Sequence, residues 1–204
     1  MKYETEVLDV LKQIRISCPS VIGEIFAARG IWTGGTSARN NAYKILKSLA
    51  DQKLIEQCKG YFRTLDCKSD YKEHSRLLTQ ALKEILKLTD CVIHREQLVP
   101  TVALRPDALC LLEVDNSGLC FALEVVHNET PDYLRQKINA WRNWDGALEY
   151  LSNLFNQDIP CYSIVVYGQP FPDTIPFEEL LKEVSNEGYD NFCSLDNGSR
   201  NGSQ

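Results

Sequence analysis

The chain has 204 residues, 44% of them hydrophobic and 25% charged, and its formal net charge is −6. That length suffices for one large domain or two small ones with a core that needs no staples, and the composition is that of an ordinary soluble globular protein. No apolar run approaches the ~20 residues a membrane helix requires, and the opening MKYETEVLDV is too acidic and interrupted for a secretory signal, so a cytoplasmic protein without membrane contact is expected.

The eight cysteines are Cys18, Cys58, Cys67, Cys91, Cys110, Cys120, Cys161 and Cys193. They form no CxxC pair, so their spacing carries no zinc signal. Reduced thiols acting as small core residues are expected, and the sequons at Asn128, Asn197 and Asn201 read as chance matches in a cytosolic chain. Charge is uneven along the chain. Residues 1–66 hold 10 Lys and Arg against 7 Asp and Glu, and residues 67–204 hold 12 against 21. A mildly basic first part and an acidic remainder imply two modules with different partners. Bulk charge alone disfavours nucleic acid on the second.

In chain order, Glu4 to Ile16 carries Val7, Leu8, Leu11 and Ile14 at helical spacing. A second helix starts at Pro19-Ser20, with Val21, Ile22, Ile25 and Phe26 as its apolar positions and Gly30 just past its end. IWTGGT is a turn, and Thr36 or Ser37 is expected to cap a third helix whose buried stripe is Ala42, Ile45, Leu46 and Leu49. LIEQC and YFRTL then read as two strands joined at Lys59-Gly60.

Three helices followed by a hairpin is the order of a winged helix-turn-helix, expected over residues 1–66. The third helix offers Arg39, Asn40, Tyr43, Lys44 and Lys47 away from its apolar stripe, and the hairpin carries Lys59 at its tip with Arg63 nearby. Arg and Asn suit base edges, and Lys and Tyr suit phosphates, so double-stranded DNA is the expected partner. The alternative is a small helical domain for protein contacts with an ordinary solvated face.

After a polar link at Asp66 to Asp70, Leu77, Leu78, Leu82, Ile85 and Leu86 mark an amphipathic helix. CVIHREQL is extended. LRPDALCLLEV and GLCFALEVV read as a hairpin, with the turn at Asp115 to Gly118. Thr130-Pro131 starts a long helix running through Phe155, with a cap and a proline at the first helical position. CYSIVVYG is a buried strand, PFEELLKEVSNEG is a last helix, and residues 191–204 are a polar tail expected to be disordered. The second module is thus expected over residues 71–190 as a mixed-sheet α/β domain, which makes the whole chain α+β.

With Val114 opposite Leu119, paired positions sum to 233. Asp107 then faces Val126, and Asp107 and Glu124 are diagonal neighbours on one face, within ~7–8 Å. The opposite face, Ala108, Cys110, Leu112, Val114, Leu119, Phe121, Leu123 and Val125, is wholly apolar and is expected to be the core face. Two carboxylates on adjacent strands can hold a hard divalent cation, which activates water and stabilises charge on a phosphate. His127 follows Glu124 by three residues and is read as a solvent-facing loop residue rather than a ligand or base. His74 and His94 have no metal spacing, and Trp141 and Trp144 are read as core.

Pro106-Asp107, sixteen intervening residues and Glu124 resemble the PD-(D/E)xK nuclease superfamily. The resemblance implies Asp107 and Glu124 as metal ligands for Mg²⁺ if the site is active. The position two residues after the acid, where that superfamily carries its lysine, is Val126. Some members draw the lysine from the next helix, which makes Lys137 the candidate, between Leu134 and Trp141 at helical spacing. Glu73 or Glu84 on the preceding helix is a candidate third carboxylate. Taken with the first module, the stretch from about residue 5 to residue 167 is similar to the replication-relaxation family of plasmids and conjugative elements, which joins a winged helix to a nuclease-like core. EVVHNET lacks the Asp that follows the strand acid in that family.

The expectation from sequence is therefore a DNA-binding accessory protein of a mobile element whose nuclease-like domain serves as a scaffold, with a homodimer or a protein partner on its acidic side. The alternatives are a Mg²⁺-dependent deoxyribonuclease using Asp107, Glu124 and Lys137, and a winged-helix transcriptional regulator.

Overall fold

The computed structural model describes residues 2–68, 71–95, 105–114, 117–172 and 174–185, with 113, 114, 117 and 118 described by their backbone alone. The expected tail at 191–204, Cys193, the helix stop at Gly188 and the sequons Asn197 and Asn201 lie outside these residues. The chain is a mixture of helices and two sheets, divided into a unit of residues 1–89 and a unit of residues 90–204. Among the described residues no helix is long and apolar enough to cross a membrane.

In the first unit, α1 (Glu4–Ile14), α2 (Pro19–Ala28) and α3 (Thr36–Asp51) each bury one apolar stripe. Val7, Leu11 and Ile14, then Ile22, Ile25 and Phe26, then Ala42, Leu46 and Leu49, are all nearly inaccessible. The i, i+3, i+4, i+7 spacing that identifies these helices in sequence is the spacing that puts those side chains on one face. Three short strands close the unit: β1 (Ile16–Ser17), β2 (Ile55–Cys58) and β3 (Tyr61–Thr64), in the order β1-β3-β2, all antiparallel. The hairpin turns at Gly60 with φ 85°, a conformation that favours glycine.

Helix α4 (Glu73–Leu88) packs in this first unit rather than in the second, where the expected boundary at residues 66–71 puts it. Three polar contacts bind it to neighbouring elements. Thr79 Oγ1 donates to the Ile16 carbonyl at 3.1 Å, Lys83 Nζ reaches Glu24 at 2.7 Å, and Arg29 Nε donates to the Leu86 carbonyl at 2.8 Å. The last satisfies a carbonyl that a helix C-terminus leaves without a partner. Moving the boundary sharpens the charge asymmetry: residues 1–89 hold 15 Lys and Arg against 10 Asp and Glu, and residues 90–204 hold 7 against 18.

The second unit is a five-stranded mixed sheet, β4 (Cys91–Arg95), β5 (Ala108–Val114), β6 (Ser117–Val125), β7 (Tyr162–Tyr167) and β8 (Ile175–Pro176), in that spatial order. The first three are antiparallel, and β7 and β8 continue in parallel. The long helix expected after Thr130 is two helices, α5 (Pro131–Arg142) and α6 (Ala147–Phe155). Asn143, Asp145 and Gly146, all weak helix formers, fall at the break. Thr130 caps α5 as expected, accepting from the Tyr133 N–H at 3.3 Å. Leu134, Ile138 and Trp141 of α5 and Leu151 of α6 pack on Leu109, Leu111, Cys120 and Ala122. The face that carries Glu124 is therefore a core face, while Ala108, Cys110, Leu112, Phe121, Leu123 and Val125 on the other, expected as the core face, are buried as well. The last helix, α7 (Phe177–Ser185), buries Phe177, Leu180 and Val184. The described cysteines 18, 58, 67, 91, 110 and 120 are free thiols, in line with the expectation, whereas Cys161 is disulfide-bonded and departs from it.

Helices α2 and α3 meet backbone to backbone at Gly23, where an added Cβ would stand 2.8 Å from the Ala38 carbonyl carbon and the Arg39 nitrogen. Neither atom belongs to a side chain that could swing away. Gly23→Ala is expected to lower unfolding stability by about 1–3 kcal/mol in urea titrations, as overpacking does. Gly34→Ala, whose Cβ would meet only the Ala27 methyl at 3.9 Å, should leave stability within about 0.5 kcal/mol.

Candidate functional site

The ladder between β5 and β6 pairs Ala108 with Leu123 and Val114 with Ser117, so paired positions sum to 231, not 233. Only two residues, 115 and 116, separate Val114 from Ser117, and they lie outside the described residues. A change of two preserves which face each residue occupies, so Asp107 and Glu124 still share one. It moves them from diagonal to directly opposed positions, where Cβ atoms approach to roughly 4.5–5.5 Å. Val126 does not face Asp107. Its N–H donates to the Tyr167 carbonyl of β7 at 3.0 Å.

Asp107 lies one residue before β5 begins, and its Oδ2 accepts the Val125 N–H of β6 at 2.7 Å. The side chain thereby extends the ladder past the last backbone pair and pins the carboxylate beside Glu124. Lys137 reaches the same place from α5. It is on the helical turn between Leu134 and Trp141, both buried against the sheet, and its ammonium donates to Glu124 Oε2. The three residues predicted from sequence are thus brought together, with the amine arriving from the helix rather than from the position of Val126.

Glu124 is 2% exposed, and its second carboxylate oxygen, Oε1, has no hydrogen-bond partner among the described residues. Burial pushes its carboxyl up to about 8, the Lys137 charge pulls against that rise, and the Asp107 charge adds to it. For Lys137, burial works against the charged form, but attraction to Glu124 and Asp107 outweighs it, so the amine is held above its ordinary value. Lys137 is therefore the fixed cation, and Glu124 is the group whose protonation changes near neutrality.

The other candidates stand apart. His127 is half-buried in the loop after β6. Its backbone N–H and that of Asn128 donate to Glu129 Oε2 at 2.7 and 3.1 Å. Glu73 and Glu84 belong to α4 in the first unit, where Glu73 pairs with Arg76 at 3.0 Å and Glu84 pairs with Lys83 and Lys87 at 3.0 and 2.9 Å. Among the described residues no group of three or more His, Cys, Asp or Glu side chains is arranged to hold a metal. Trp141 is fully buried, and Trp144 lies on the α5–α6 break with its ring 5.8 Å from that of Trp141. His94 of β4 meets Phe155 edge-on, and burial lowers its pKa.

In the first unit, Arg39, Asn40, Tyr43, Lys44 and Lys47 all project from the exposed side of α3, as expected, and Lys59 is exposed at the hairpin tip. Two expectations change. Neither Thr36 nor Ser37 caps α3. The helix begins at Thr36 after Gly35, which adopts φ 68°, and no side chain caps it. Arg63 is not presented at the tip. It sits on β3, the central strand, with its Nε 2.7 Å from Glu56 Oε2 and its side chain 19% exposed. A side-chain cluster that the sequence reading does not single out also lies beside α3: Lys2, Tyr3, Trp32 and Asn41 together with Lys44. Its one signal in sequence is a tryptophan inside the otherwise small and polar turn WTGGT.

Comparison of the chain with family models, with curated proteins and with solved structures finds no match.

The Glu124 linkage has a defined sign. A carboxyl whose folded pKa is raised binds more protons folded than unfolded, so its contribution is full below the ordinary carboxylate range and declines as pH rises toward about 8. Unfolding stability measured from pH ~5 to ~9 should fall more steeply in the wild type than in Glu124→Gln. Lys137→Met, which leaves a buried carboxylate without its cation, should cost about 3–5 kcal/mol at the alkaline end and less at the acidic end. Equal slopes in wild type and Glu124→Gln would refute this account.

Proposed function

We propose that this protein docks on double-stranded DNA through a winged helix-turn-helix in its first unit and cleaves phosphodiesters with a divalent cation at Asp107, Glu124 and Lys137 in a PD-(D/E)xK type second unit. Processing of a mobile element's DNA during its replication or relaxation is the setting this reading implies. The observation that carries it is the convergence of Lys137 and Glu124 beside Asp107. The expectation of a scaffold rested on Val126 in the lysine position and on the acidic balance of the second module; the acidic balance stands, and an amine reaches Glu124 from α5 in place of one at Val126.

The donor set fits a hard cation such as Mg²⁺. The Asp107 carboxylate, just before β5, lies beside that of Glu124 on β6, and Glu124 Oε1 is a buried acceptor without a partner among the described residues, a costly arrangement that a ligand would relieve. A bound cation supplies Lewis-acid stabilisation of the phosphate and a more acidic attacking water. The protein's own groups do the rest. Asp107, half-buried and tied to the Val125 N–H, orients the open side of the site. Lys137, held as the ammonium, is placed to offset the charge that builds on the phosphate as water adds to phosphorus and the P–O ester bond breaks. It occupies Oε2 of Glu124 and leaves Oε1 for the cation.

On the DNA-docking side, support comes from the exposed Arg39, Asn40, Tyr43, Lys44 and Lys47 on one face of α3, from Lys59 at the hairpin tip, and from the basic balance of residues 1–89. Arg63, paired with Glu56, contributes to the hairpin rather than to the contact.

In a cleavage assay on supercoiled and linear DNA with Mg²⁺ or Mn²⁺, Asp107→Ala and Glu124→Ala should abolish cutting. Lys137→Met should lower it about 100-fold or more, with DNA binding retained. Wild-type protein that neither cuts nor gains thermal stability from either cation would leave the scaffold role in its place. Arg39→Ala, Lys44→Ala and Lys59→Ala combined should weaken duplex binding and reduce the slope of log affinity against log salt by about 3. An unchanged slope would exclude docking through this face.

A further inference from the structure

A groove of about 360 Å³ opens beside α3 in the first unit, lined by Lys2, Tyr3, Trp32, Asn41, Lys44 and Ile45. Its base is aromatic. Trp32 stacks on Phe26 with ring centres 4.5 Å apart and meets Tyr3 edge-on at 6.2 Å. Tyr3 is held there in a left-handed backbone conformation, φ 71°, which sterics disfavour for a bulky residue and which tends to persist where something else requires it. Two cations flank the aromatic surface: Lys2, whose ammonium lies 4.8 Å over the Tyr3 ring, and Lys44, exposed on α3 and without an ion-pair partner among the described residues. The half-buried Asn41 amide lines the same groove and makes no side-chain hydrogen bond among the described residues.

Each of these features has one kind of complement. A planar π-face stacks on tryptophan and tyrosine rings that line a groove, and Trp32 and Tyr3 here are half-buried. A primary amide offers one donor and one acceptor side by side, the pattern that reads a base edge. Paired ammonium groups at the rim attract a phosphate. Of the α3 side chains placed toward duplex DNA, only Lys44 is shared with this groove. Tyr3, Trp32 and Asn41 have no role there.

We propose that the groove binds a nucleotide, with an unpaired base on Trp32 and Tyr3, its edge on Asn41, and its phosphate between Lys2 and Lys44. The ligand comes either as a free nucleotide or as an unpaired residue at a DNA end. The site is separate from Asp107, Glu124 and Lys137, and it does not depend on cleavage.

The test is tryptophan fluorescence of the full chain titrated with adenosine monophosphate, with adenosine, and with a duplex bearing an unpaired adenosine overhang. Quenching by the monophosphate at lower concentration than by adenosine is expected, and it should vanish in Trp32→Phe. Asn41→Ala should weaken it about tenfold, the usual scale for one lost base contact, while leaving blunt-duplex binding and the circular dichroism spectrum unchanged. Stronger quenching by the monophosphate than by the overhang assigns the groove to a free nucleotide, and the reverse order assigns it to a DNA end. No quenching by any of the three, quenching that survives in Trp32→Phe, or unchanged affinity in Asn41→Ala would overturn the proposal. Quenching without any blunt-duplex binding would instead sustain the groove and remove the duplex-docking reading.

Discussion

Contact between the Lys137 ammonium and Glu124 joins helix α5 to strand β6 in a place where neither charge has much water: the side chains are 13% and 2% exposed. Such a pair survives only if its geometry is held by something else, since desolvation of two ions consumes most of their mutual attraction. The apolar stripe of α5 does that holding. Leu134, Ile138 and Trp141 seat the helix on Leu109, Leu111, Cys120 and Ala122, which fixes the Lys137 backbone within reach of Glu124. The Tyr162 hydroxyl, donating to the Trp141 carbonyl at 2.6 Å, ties the end of the same helix to β7. The site is therefore a by-product of core packing, and its electrostatics inherit the rigidity of that core.

Asp107 shows the complementary constraint, set by the sheet. It precedes β5, so its backbone is not a rung of the ladder, yet its carboxylate takes the next N–H of β6 as a rung would. A carboxylate used in this way is oriented by the strand beside it, not by its own rotamer preferences. Opposed acids and a helix-borne amine then converge from three elements whose positions are fixed by hydrogen-bond ladder, register and apolar contact.

Much of this was legible in sequence, and the misses have physical causes. The helical stripes of α1 to α4 followed from periodicity, because side chains three or four apart must share a face; Lys137 was singled out by what the nuclease resemblance implies, with its place between Leu134 and Trp141 in support. Register was less accessible. Period-2 alternation identifies faces but not partners, and a shift of two in the pairing leaves every face intact while moving each partner; for this reason Asp107 and Glu124 were placed together correctly and Val126 was placed opposite Asp107 wrongly. The unbroken helix expected through Phe155 failed because Leu134, Trp141, Leu148 and Leu151 continue a helical pattern across Asn143 to Gly146, and apolar pattern outweighed weak helix formers in the reading. Helix α4 falls in the first unit, where Thr79, Lys83 and Arg29 join it to neighbouring elements through polar contacts distant in sequence that no local pattern announces.

The charge distribution gives the two proposed activities a common logic. A unit with 18 acidic and 7 basic residues repels a polyanion, so phosphate cannot be drawn to Asp107 and Glu124 by the field of that unit. Under the proposal, attraction must come from residues 1–89, where the balance is reversed, and from a cation at the acids themselves. The cation is then needed for approach as well as for chemistry, because without it two opposed carboxylates face the incoming phosphate with only Lys137 to offset them. An elevated Glu124 pKa moderates the same conflict from the other side: a protonated carboxyl near neutrality lowers the charge the site carries while it holds no cation, and gives that proton up when a stronger positive charge arrives.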